Sequence, residues 1–155
     1  MFHDDWEIYG DGSGNPEVLM FEPARRLLDI CDDYGVKYTF FAEYGQQLAM
    51  INSPVRQHRE WANTWEYILK DAIKRGHDVQ LHYHPQWLNA QYTNGEWALD
   101  FEKWALASLS YKDLYSSLEQ GKLYIENLLQ PVRKSYRIIA FRAVGWIHPP
   151  SKYIY

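Results

Sequence analysis

The feature that most limits what this chain can become is an alternation. Stretches rich in β-branched and aromatic residues are separated by longer ones whose apolar residues recur every three or four positions. Phe2–Trp6 reads as a short first strand, Val36–Ala42 as a buried second, His77–His84 as a third ended by Pro85, and Tyr136–Arg142 as a fourth. A helix opens at Pro23, where a missing N–H costs nothing. It carries Leu27, Leu28, Cys31 and Tyr34 on one stripe and closes at Gly35. A second starts at Ser53-Pro54, runs to Lys74-Arg75 with Gly76 as its cap, and shows Trp61, Trp65, Ile68, Leu69 and Ala72 on one face. A third begins with Ser110 and Asp113 in a capping-box arrangement, carries Leu114, Leu118, Ile125 and Leu128, and stops at Pro131. Asp11-Gly-Ser-Gly-Asn-Pro16 reads as a turn-rich loop, and a Trp-rich connection covers roughly 86–109. The β-α-β-α-β-α-β order predicts an α/β fold with a parallel sheet covered by helices, within one domain. In such folds functional side chains gather at the C-terminal ends of strands.

Composition narrows the partners. Aromatic residues make up 17% of the chain, more than a core of this size needs, and the surplus suits a ligand with flat C–H faces such as a sugar ring. Residues 1–100 hold 16 acidic and 8 basic side chains, and residues 101–155 hold 4 and 8. The basic excess is scattered, without a Lys/Arg run, which argues against nucleic acid. No apolar stretch approaches the ~18 residues of a membrane span. Met-Phe-His-Asp-Asp lacks the basic segment and apolar run of a signal peptide, which favours the cytoplasm. Cys31 is the single cysteine, so no internal disulfide forms, and its place in a helix stripe reads as a small core residue.

The chemistry concentrates at three strand ends. Strand side chains alternate faces, so His82 and His84 point one way and Tyr83 the other. Two imidazoles plus one carboxylate make a three-ligand site with a position left for water, the pattern of catalytic zinc. Asp4 and Asp5 offer a ligand and a neighbouring proton acceptor, provided a bulge brings both to one side. Arg142, always charged, could pair with the base and orient it. Trp6, Trp87 and Trp146 each follow one of these groups and could stack on a sugar ring or pack the core. His77 reads as structural; His58, on a polar helix face, and His148 have no evident partner.

These residues resemble a known family. Phe2-His-Asp-Asp-Trp6 is similar to the first motif, T-F-D-D-G, of the NodB-homology polysaccharide deacetylases (carbohydrate esterase family four). Lys37–Phe41 resembles the family's second strand, Arg75–Pro85 its histidine motif, and Phe141–Trp146 its Arg-containing motif, all in family order. The H-x-H-P form and the Trp after the arginine are similar to deacetylase domains linked to lipopolysaccharide biosynthesis. The resemblance implies Asp4 as catalytic base with Arg142 as its partner. It implies Asp5, His82 and His84 as ligands of a divalent metal, most readily Zn2+, and an acetylated carbohydrate as substrate. It also implies a deformed (β/α) barrel spanning residues 1–155 and lacking its last part, since the family's later motifs, including the leaving-group acid, have no counterpart. The common H-x-x-x-H spacing would put the second histidine at Gln86, so His84 takes that place. Two other readings stay open: a non-catalytic carbohydrate-binding or scaffold relative, and a hydrolase of small amides using the same water activation.

Overall fold

The computed structural model describes residues 2–144, so Trp146 and His148 lie outside the described residues. Along the chain, β1 (Phe2–Trp6) leads through a loop and a wide π-type turn (Glu17–Phe21) into α1 (Glu22–Asp33). Then come β2 (Tyr38–Glu43), α2 (Tyr44–Asn52), α3 (Arg56–Lys74), β3 (Asp78–Tyr83), a hairpin of β4 (Gln91–Thr93) and β5 (Glu96–Ala98), α4 (Tyr111–Leu129) and β6 (Phe141–Ala143). The four main strands pair in parallel in the order β1-β2-β3-β6. They form a curled half-barrel with four helices; among the described residues the sheet does not close into a full barrel.

Strand alternation sorts the sheet into two unlike faces. Trp6, Phe40, Ala42, Val79, Leu81 and Tyr83 belong to the helix-covered face and are buried. Trp6 stacks on Trp65 of α3 at 5.8 Å and lies 5.3 Å from Phe40, while Trp65 has no exposed surface. Burying each such side chain contributes about 1.5–3 kcal/mol. The opposite face carries His3, Asp5, Thr39, Glu43, Gln80, His82 and Arg142, a polar and ionisable set, with Phe41 among them. At the N-terminal ends of the strands, buried His77 accepts the Tyr38 amide on Nδ1 (3.2 Å) and donates from Nε2 to Asp32 (3.1 Å). Arg75 beside it reaches Asp29 and Asp32, each at 2.7 Å. That end of the fold is locked by charge pairing.

Three elements differ from the sequence reading. Helix α2 follows β2 without a loop, because the Glu43 carboxylate accepts the Gln46 amide and caps it. Ser53 closes α2 and does not cap α3, which starts at Arg56 behind Val55; the Ser53 hydroxyl instead accepts the Val55 amide (3.2 Å). The fourth strand is only Phe141–Ala143: the amides of Ile139 and Ala140 donate to Oε1 of Gln80 (2.9 and 2.8 Å), which takes the place of ladder bonds. The capping box at Ser110 is present, with Oγ accepting the Asp113 amide at 3.1 Å.

Candidate metal centre and its neighbours

The pairing of β1 with β2 runs without interruption from Phe2↔Tyr38 to Trp6↔Ala42. There is no bulge at the acidic pair, so Asp4 and Asp5 keep opposite faces. The face that carries Asp5 carries Glu7 two residues later, and Glu7 is the carboxylate that meets the two histidines. Its Oε2 lies 3.2 Å from His84 Nε2 and its Oε1 3.6 Å from His82 Nε2. The two ring nitrogens are 2.9 Å apart, with the rings nearly perpendicular. All three ligand-type atoms fall within 4.8 Å of one another, so Glu7, His82 and His84 form a group that could hold a metal ion.

The hydrogen bonding around the group favours that use. The backbone carbonyl of Arg142 accepts from His82 Nδ1 at 2.8 Å, which leaves Nε2 with its lone pair directed into the cluster. Around His84, the Gln86 side-chain amide touches Nδ1 at 2.8 Å, and Oε1 of Gln86 is buried without a hydrogen-bond partner among the described residues. Turning that amide lets Oε1 accept from Nδ1–H and frees Nε2, in exchange for a longer 3.3 Å bond to the Gly10 carbonyl. Glu7 Oε2, although close to His84, has no hydrogen bond of good geometry among the described residues. Two lone-pair nitrogens and a carboxylate oxygen facing a common centre repel unless a proton or cation sits between them. Burial would raise the Glu7 carboxyl pKa, but the closeness of His82 and His84 outweighs it and holds the value down at about 2. Glu43, fully buried behind the group, accepts the His84 amide at 2.8 Å and fixes the backbone there.

Asp5 has a different partner. Arg142 donates from Nη1 to Asp5 Oδ1 at 2.5 Å and from Nη2 to His3 Nδ1 at 2.7 Å. Its guanidinium lies 4.0 Å above the Phe41 ring. The expected ligand set of Asp5, His82 and His84 is therefore corrected at one member: Glu7 stands with the histidines, and Asp5 is the acid that Arg142 holds. The expected pairing of Arg142 with Asp4 is corrected in the same way, because Asp4 lies on the helix-covered side near Tyr38.

Burial pushes the Asp4 carboxyl up to about 6, reinforced by Asp5, against smaller downward pulls from the Tyr38 hydroxyl and Arg142. Its Oδ1 is buried without a hydrogen-bond partner among the described residues. Since the folded pKa lies above the unfolded value, this group's stabilisation is complete below about pH 4, declines between pH 4 and 6, and is absent above. Asp4→Asn is expected to leave stability at pH 4 unchanged and to raise it at pH 8 by about 1–3 kcal/mol. Urea unfolding at the two pH values measures this, and an equal effect at both would rule out burial as the cause.

Of the tryptophans expected to stack on a sugar ring or pack the core, Trp6 and Trp87 take the second role, and Trp146 lies outside the described residues. Trp6 is core, and its Nε1–H donates to the Met20 carbonyl at 3.3 Å. Trp87 is 3% exposed and packs edge-on against Trp97. The aromatic side chain beside the cluster is Trp104, 38% exposed, with its ring 6.1 Å from that of His84. His58 is buried and hydrogen-bonded to Ser53 (2.8 Å), not set on a polar face. No family model, curated protein or solved structure was found to match the chain.

Proposed function

We propose that this chain is a metal-dependent hydrolase that removes an acetyl group from a carbohydrate, as its resemblance to the NodB-homology deacetylases implies. The observation that carries the reading is the convergence of Glu7, His82 and His84 at the C-terminal side of a parallel sheet. A donor set of two imidazoles and one carboxylate fits Zn2+. When bound, zinc would polarise the acyl carbonyl and acidify a water.

The protein's own groups supply the rest. Asp5, on the same sheet face as Glu7, accepts the proton of the attacking water, and Arg142 fixes the carboxylate that receives it. The Phe41 ring beneath Arg142 prevents the guanidinium from swinging away. Trp104 shields one side of His84 from water and offers a partly open aromatic surface to the substrate.

The test is acetate release from a panel of N- and O-acetylated oligosaccharides, measured on purified protein, after chelation, and after zinc is restored. Activity that disappears with chelation and returns with zinc is the expected result. Metal binding without acetate release, together with retained glycan binding, would move the chain to a non-catalytic relative of the same fold.

A further inference from the structure

A cleft of about 670 Å3 is bounded by the 11–14 loop, the first turns of α3 and the β4–β5 hairpin, and it reaches Phe101, whose ring lies 6.3 Å from Trp104, itself 6.1 Å from His84. Its floor is His58, 4% exposed. That ring lies nearly parallel to Trp61 (5.4 Å, 18°) and to Trp97 (5.0 Å, 28°), with Tyr92 edge-on at 4.4 Å. The Ser53 hydroxyl occupies Nδ1, leaving Nε2 as the ring's second polar atom. Burial lowers the His58 pKa below the ordinary histidine value, so the ring is neutral at pH 7. Around this aromatic floor stand Asp11, Ser13 and Glu96, and among the described residues no Lys or Arg lines the cleft.

This combination selects among ligands. A phosphate or carboxylate would meet two acidic side chains and, among the described residues, no cation, so anions are disfavoured. A purely apolar ligand would strip water from Asp11, Ser13 and Glu96 without replacing its hydrogen bonds. A ring with C–H faces and hydroxyls at its edge satisfies both kinds of surface. The cleft also lies on the same loop as the metal group. A side chain at Gly12 would meet Trp97 Cβ at 3.1 Å, so the loop backbone rests directly on the hairpin. Two residues earlier, the Gly10 carbonyl is in reach of the Gln86 amide, which touches His84.

We infer that this cleft is a pyranose subsite, in which Trp61, Trp97 and Phe101 take the sugar's C–H surface and Asp11, Ser13 and Glu96 accept or donate to its hydroxyls. The inference rests on the carbohydrate reading above and deepens it: the substrate is an oligosaccharide, and a sugar next to the acetylated one sits here.

The experiment uses the whole protein on an array of hexose and hexosamine oligosaccharides, with and without metal, and reads metal content on the same samples. Wild-type protein is expected to bind at least one oligosaccharide even when stripped of metal. Trp97→Ala is expected to weaken that binding by ~10-fold or more. Phe101→Ala, at a residue 53% exposed and therefore safe for folding, should weaken it less, and Tyr111→Ala on α4 should not change it. Absence of glycan binding by wild-type protein, or unchanged binding by both cleft variants, overturns the subsite. Failure of the catalytic reading looks different: glycans bind and respond to Trp97→Ala, but no acetate is released.

Discussion

Glu7→Ala is expected to cost more than ~100-fold in divalent-metal affinity, beyond the 10–100-fold typical of residues that merely orient ligands. His82→Ala should do the same, and Asp5→Ala should leave the affinity within a few-fold. The basis is geometric: Glu7 lies 3.2 and 3.6 Å from the two histidine Nε2 atoms, and Asp5 is held by Arg142 instead. Competition against a chromophoric chelator, on variants shown to be folded by circular dichroism, gives the three affinities. The reverse order, with Asp5→Ala losing the metal and Glu7→Ala keeping it, would restore the assignment the sequence first implied. Binding should also release protons at low pH, because a protonated His82 must give up its Nε2 proton before it can hold a metal. Burial disfavours the charged His82 ring, but the nearby Glu7 carboxylate and the hydrogen bond to the Arg142 carbonyl outweigh it and raise the His82 pKa. Affinity therefore falls as pH drops through the histidine range.

Asp5→Asn should lower acetyl release by about 10²–10⁴-fold while leaving metal content intact, the loss typical of a positioned general base. Arg142→Lys keeps the charge but not the fork. One ammonium cannot serve Asp5 and His3 together while lying flat on Phe41. A fall in kcat of about 10–100-fold with KM nearly unchanged is expected, since the arginine acts through the base and not through substrate. Turnover in Asp5→Asn equal to wild type would remove the base assignment and leave the metal group standing.

Much of this was legible in the sequence. The alternation that places His82 and His84 on one side also holds in β1, where it links Asp5 to Glu7 and excludes Asp4. The D-D pair drew attention because the acids are adjacent, yet adjacency separates them in a regular strand; the useful spacing was D-x-E. The hairpin also carried a signal, since Asn94-Gly95 between Thr93 and Glu96 is a two-residue turn with positive φ at both positions (54° and 90°). Helix α2 was hidden for a physical reason. Its buried Gln46 and Gln47 find tertiary partners, with Ile8 N–H donating to Gln46 Oε1 and Gln47 Nε2 donating to the Ala62 carbonyl, which no local pattern reveals. The short β6 was unreadable likewise, because the acceptor that stops it, Gln80, lies about 60 residues away.

The bond between His82 Nδ1 and the Arg142 carbonyl makes β6 a fastener on the imidazole. The strand is three residues long, the kind of segment that opens locally at low cost. When it detaches, the ring loses the acceptor that keeps its proton away from the cluster. Occupancy of Nε2 and attachment of the strand therefore favour each other by one shared factor, in both directions. A metal held 60 residues earlier in the chain would set how often the last described strand lets go, and amide exchange across Phe141–Ala143, compared with and without added metal, would gauge how tightly that ion is held.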